Sequence, residues 1–320
     1  MDARNDAELE LEPLTDDELQ KLRQQLQEST EQWRQTGQDL TEARNLWRQY
    51  STLTRELSFS LCESLRLILE PTLATKLKGD YRAGKRLNMR KVIAYIASQF
   101  KKDKIWLRRT RPSKRTYQIM ISIDDSRSMA ESKSIELAFE SLSLISKALT
   151  QLEVGEISVV SFGEDVRQLH PFDKPFSDEA GAEVIHNFTF GQDGTKVRQM
   201  MEATLDILKT ARQTCQGSAE LWQLQIIISD GILEDHAAVR ALVRQAANAR
   251  IMVVFVVLDR RGDRDSILRM TNVSYTASGL QMTRYMDTFP FDFYVVLSRI
   301  EDLPEVLSDT LRQYFMFVNL

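Results

Sequence analysis

At 320 residues, 42% hydrophobic and 28% charged, the chain has the composition of a soluble globular protein with one large core and an appendage. It has no run of about 18 apolar residues and opens on the acidic Met1-Asp-Ala-Arg-Asn-Asp-Ala-Glu8, so neither a membrane span nor a secretory leader is expected. Its two cysteines, Cys62 and Cys215, fit a reducing, intracellular compartment. The net charge of −4 conceals three unequal parts: residues 1–70 hold 8 Lys/Arg and 15 Asp/Glu, residues 71–116 hold 15 and 2, and residues 117–320 hold 19 and 29. The middle part, at +13, calls for a polyanionic or acidic partner.

Residues 1–14, acidic and interrupted by Pro13, read as a disordered leader. Thr15-Asp-Asp-Glu18 is a capping box that opens a helical stretch over residues 15–70. Leu19, Leu26, Trp33, Leu40 and Trp47 recur every seven residues, a seam that must lie against another surface. Gly37 weakens the middle, so the stretch is one long amphipathic helix or a helix pair.

Residues 71–116 carry the positive charge, in Lys76–Lys91 and again in Phe100–Arg111. Gly79 and Gly84 flank an expected turn, and Asn88 is placed to cap a helix bearing Val92, Ile93, Tyr95, Ile96 and Phe100. That apolar set predicts packing onto the rest of the domain. Basic residues around Tyr81 and Trp106 also suit phosphate neutralisation with base stacking, an import signal, or docking to an acidic surface.

From residue 117 the pattern changes to strands alternating with helices. Tyr117–Asp124 is a buried strand whose apolar run, Ile119, Met120, Ile121 and Ile123, ends at a carboxylate. A helix follows over Ser132–Leu149, then a strand over Glu156–Gly163 and a third, antiparallel to it, over Val166–His170. Further helices are predicted over 180–185, 197–208, 235–249 and 303–314, and strands over 221–229, 251–258 and 293–297. The polar stretch 260–290 reads as a long loop between two strands. Such alternation implies an α/β, Rossmann-like, doubly wound and mostly parallel sheet over residues 117–320, with ligands at the carboxyl ends of its strands.

Two carboxylates fall at such ends, Asp124 and Asp230. Asp124, Ser126 and Ser128 stand two residues apart, so their oxygens can converge. With Thr195 in Gly191-Gln-Asp-Gly-Thr195 they make an all-oxygen set suited to Mg²⁺, with Mn²⁺ and Ca²⁺ as alternatives. Asp124-x-Ser126-x-Ser128, then Thr195, then Asp230, resembles the metal-ion-dependent adhesion site of von Willebrand factor A domains. Haloacid-dehalogenase-type phosphatases also end a first strand in Asp, but they need a second Asp where this chain has Ser126, which cannot act as an acid near neutral pH. His170, His186 and His236 have no neighbours at ligand spacing and read as core or surface residues.

The basic stretch Gly79–Arg109, joined to the metal loop, further resembles the C-terminal end of the dynein-related AAA ATPases that act on precursors of the large ribosomal subunit. This resemblance implies a binding role without catalysis: the site captures an acidic side chain from a ubiquitin-like domain carried by WD-repeat ribosome assembly factors. It also implies an AAA ring elsewhere in the full-length chain, the pre-60S particle as the setting, and a nuclear location, nucleolus and nucleoplasm. No phosphate-loop motif occurs in these residues, so the ATPase would lie outside them. Two alternatives are a chelatase-like AAA partner subunit and an RNA-binding module acting through residues 71–116.

Overall fold

The computed structural model describes residues 16–36, 39–69, 78–82, 86–108, 116–152, 155–214, 221–233, 235–260, 266–276 and 279–318. The leader 1–14, the Thr15 cap and Gly37 lie outside the described residues. The chain opens with three helices, α1 (Asp16–Thr36), α2 (Leu40–Leu53) and α3 (Arg55–Leu69), rather than the one or two expected. Asp39 caps α2 by accepting the Thr41 amide at 3.3 Å. The unanticipated break is at Thr54. Its hydroxyl and its amide both bond the Tyr50 carbonyl, at 2.8 and 3.0 Å, the local back-bonding that lets threonine compete with a continuing helix.

The basic stretch forms β1 (Lys78–Tyr81), β2 (Arg86–Leu87), α4 (Met89–Ala97) and β3 (Trp106–Arg108), with the strands in antiparallel order β1-β3-β2. Asn88 is the N-cap of α4 by backbone position but makes no side-chain cap bond. No residue of α4 is buried. The packing predicted for Ile93, Ile96 and Phe100 is therefore not made: all three face outward.

The remaining elements follow in order: β4 (Thr116–Asp124), α5 (Arg127–Glu131), α6 (Ile135–Gln151), β5 (Glu156–Phe162), β6 (Val166–His170), α7 (Asp178–His186) and α8 (Val197–Thr214). Next come β7 (Leu221–Ser229), α9 (His236–Asn248), β8 (Ile251–Leu258), β9 (Thr271–Thr276), β10 (Gly279–Arg284), β11 (Tyr294–Leu297) and α10 (Leu303–Val318). Six strands form one sheet in the order β11-β8-β7-β4-β5-β6, parallel except for β6, which runs antiparallel to β5. The stretch 260–290 is not a plain loop: β9 and β10 form an antiparallel hairpin between two 3-10 turns.

Alternation along the strands divides the core. Ile119, Ile121 and Ile123 point to one face with Val159, Ile226, Ile228, Val254 and Val256, where α6, α7 and α10 cover them. Met120, Val160, Phe162, Ile227, Val253 and Phe255 point to the other, under α8 and α9. Helices α1–α3 add a third layer outside the first face, and the heptad seam is its inner side, with Leu26, Trp33 and Trp47 buried there. Trp47 donates its indole N–H to Asp178 at 2.9 Å. Gly181 lies under the same ring, where a Cβ would come within 2.3 Å of it.

Candidate metal centre

Strand β4 delivers Asp124 to the carboxyl edge of the sheet, flanked by β5 and β7. Asp124 is fully buried. One carboxylate oxygen accepts the Ser126 amide at 2.9 Å and the other accepts the Ser229 hydroxyl at 2.6 Å. Its pKa is pushed up to about 7, chiefly by burial, with the bonds from Ser229 and Ser126 opposing the rise and the nearby Asp230 carboxylate adding to it. Two buried carboxylates side by side are an arrangement that a cation would relieve.

Ser126 occupies the N-cap position of α5, yet its side chain caps nothing. Its hydroxyl lies 3.0 Å from that of Ser128 instead. The Ser126 hydroxyl therefore does not cap the helix, and it stands just past Asp124 beside that of Ser128 in the first turn of α5. Asp230 follows the end of β7 and accepts the Ile232 amide at 3.3 Å. Gly231 holds φ +81°, and a Cβ there would meet Val257 and Ile267 at 2.7 Å, so only glycine lets the chain turn at this point. Past the turn, Tyr285 pins the loop: its hydroxyl donates to the Gly231 carbonyl at 2.9 Å and accepts the Leu233 amide at 2.8 Å.

Thr195 arrives on a separate loop. A parallel bridge pairs Ser126 with Gln192, the Arg127 amide donates to the Gln192 carbonyl at 2.8 Å, and the Lys196 amide donates to Gly163 at the end of β5 at 2.9 Å. These bonds hold the Thr195 loop beside the Asp124 loop.

Sequence reading passed over the residue that joins them. Asp125 is buried, and its carboxylate accepts the amides of Thr189 and Phe190 at 2.8 and 2.6 Å, the Thr189 hydroxyl at 3.1 Å and Gln192 Nε2 at 2.9 Å. Consecutive residues of an extended chain point oppositely, so an Asp-Asp pair after a strand serves two sites. Ser229 was also missed; its signal was a lone hydroxyl closing the apolar run Ile226-Ile-Ile.

Among the described residues no group of three His, Cys, Asp or Glu could hold a metal, so an ion here depends on hydroxyl ligands. His170 and His236 are occupied elsewhere: one bonds the Lys174 carbonyl, the other Thr288 and Tyr285. Among the described residues no helix is long and apolar enough to cross a membrane.

The family model of the von Willebrand factor type A domain matches residues 118–282. The chain belongs to this family. A von Willebrand factor A domain is an interaction domain, and domains of this kind commonly bind a divalent metal at such a site; the chain is not itself an ATPase. It is 46% identical over 303 residues to midasin of Dictyostelium discoideum, covering 94% of this chain and 5% of that one. It is 41% identical over 272 residues to midasin of Giardia intestinalis, covering 83% of this chain and 6% of that one. The chain thus spans only a small fraction of the length of these relatives. Among solved structures, an aerotolerance-related membrane protein from Bacteroides fragilis is 16% identical, with a TM-score of 0.40, and the match covers 62% of this chain and 99% of that one.

Proposed function

We propose that this von Willebrand factor A domain is a metal-dependent capture module for the ubiquitin-like domain of WD-repeat ribosome assembly factors. Asp124, Ser126, Ser128, Thr195 and Asp230 would hold Mg²⁺, directly or through water. Bound there, the ion supplies a coordination position that an acidic side chain of the partner fills. The observation that carries this reading is the pairing of two buried carboxylates, Asp124 and Asp230, with a Ser126 hydroxyl that caps no helix. Among the described residues His170 and His236 are engaged elsewhere, which supports binding rather than turnover at the set.

The midasin likeness supports the setting: an AAA ring in the same full-length chain would pull the captured factor from the pre-60S particle, in the nucleolus and nucleoplasm. The test is a pull-down of the ubiquitin-like domain with Mg²⁺ and with EDTA. Retention is expected in Mg²⁺ only, and a partner Glu→Ala change should abolish it. Equal retention in EDTA would overturn the metal-bridged mechanism, and no retention in either condition would overturn the partner assignment.

A further inference from the structure

The exposed apolar row on α4 has no role in the metal centre. Met89, Ile93, Ile96 and Phe100 are 71%, 75%, 59% and 64% exposed. The first three stand at i, i+4 and i+7 on α4, the spacing of anchors that a helix presents to a partner, and Phe100 follows just past the helix end. A nine-residue helix that buries none of its residues fully, with only Val92 and Tyr95 half-buried, draws little packing energy from its own domain, and helices this short are marginal in water. Arg86, Arg90, Lys91, Lys101 and Lys102 surround the row and are all exposed. The one acid among residues 86–108, Asp103, is engaged by Arg82 at 3.0 Å.

The end of the row is fixed in shape. Gln99 and Phe100 both adopt left-handed backbone, at φ +53° and +67°, which costs each about 1 kcal/mol or more. The Phe100 amide donates to the Tyr95 carbonyl at 3.0 Å, the two rings meet edge to face at 5.1 Å, and Ser98 closes the turn by accepting the Lys102 amide at 3.1 Å. The strained turn thus fixes Phe100 against Tyr95, just past the end of the row, while leaving most of its ring exposed.

We propose that α4 is a docking helix, whose Met89-Ile93-Ile96 face, with Phe100 beyond its end, packs against an acidic, apolar-faced helix of a protein partner. Charge complementarity selects the occupant: carboxylates on the partner's rim meet the five cations while its apolar side covers the row. RNA would satisfy the cations and leave three aliphatic side chains in water. An anionic lipid surface would draw on the same charges and apolar row, so vesicles stand as the competing outcome of the test.

The test uses the full chain and two fluorescent amphipathic peptides of about 20 residues, with one leucine face in common and either glutamates or lysines opposite. The glutamate peptide is expected to bind at least about tenfold more tightly than the lysine peptide. The double substitution Ile93→Glu and Ile96→Glu, at positions outside the core, should remove at least about tenfold of that affinity. Asp124→Ala should leave it unchanged, which separates this surface from the metal centre. The proposal is overturned if the two peptides bind alike, if the double substitution has no effect, or if phosphatidylserine vesicles or a single-stranded RNA occupy the Ile93/Ile96 face more tightly than the glutamate peptide.

Discussion

Asp125 grips Gln192 through the side-chain amide at 2.9 Å, and that bond joins the loop of Asp124 to the loop of Thr195. The carboxylate is buried and also takes the Thr189 and Phe190 amides. Its truncation would strand two backbone donors away from water at about 1–3 kcal/mol each. Asp125→Ala is expected to lose about 3 kcal/mol in urea unfolding and to weaken metal binding although Asp125 holds no metal. Unchanged stability would show that the loops are held by other contacts.

Removing the divalent ion should lower the melting temperature. Ligand at about a hundred times its dissociation constant contributes about 2.7 kcal/mol to the folded state, a shift of several degrees. Mg²⁺ should raise the midpoint of the wild-type chain and leave Asp124→Ala where it was. The substitution itself should leave the circular dichroism spectrum intact, because Asp124 ends its strand and the change removes two side-chain hydrogen bonds without deleting an apolar core group. A metal-induced shift that survives Asp124→Ala would place the ion elsewhere.

Gly181→Ala tests the contact between α7 and α2. The new methyl would meet the Trp47 indole at 2.3 Å. Overpacking of this kind costs about 1–3 kcal/mol despite the better helix propensity of alanine. The loss should be relieved by Trp47→Leu in the same chain, which a double-mutant cycle would reveal.

Glu140 lies buried on α6, and burial pushes its pKa up to about 7; Arg23 and Arg260 oppose the shift, while Glu301 and Glu136 add to it. The folded chain therefore holds a proton that the unfolded chain releases near the ordinary value of 4.5. Its contribution is present in full below that value and is lost as pH rises toward 7, on the order of 2–3 kcal/mol. Glu140→Gln should flatten this part of the stability–pH curve. Superimposable curves for the two proteins would mean that Glu140 titrates normally.

The parallel sheet was legible because strands such as Ile251–Leu258 are short apolar runs and the helices between them keep a 3.6 period. For the same reason the sheet edge at which Asp124 and Asp230 stand was readable. What stayed hidden depends on partners distant in sequence. Asp125 gives no sign of the loop at 189–192 that it will bind, and Thr54 none of the carbonyl that ends α2. The hairpin 271–284 was missed because its polar strands lack the apolar alternation that marks a half-buried ribbon. For α4 the periodicity was right and the inference from it was not: an apolar stripe predicts burial, but not by which molecule.

The margins of the six-stranded sheet are its two shortest strands, β6 with five residues and β11 with four. Behind β11 lies β8, eight consecutive apolar residues that are all buried. Four residues of pairing thus shield from other chains a segment whose composition favours cross-β stacking. A chain shortened before Tyr294 would present β8 as a bare edge, and its fate would be insoluble aggregates rather than a smaller binding domain.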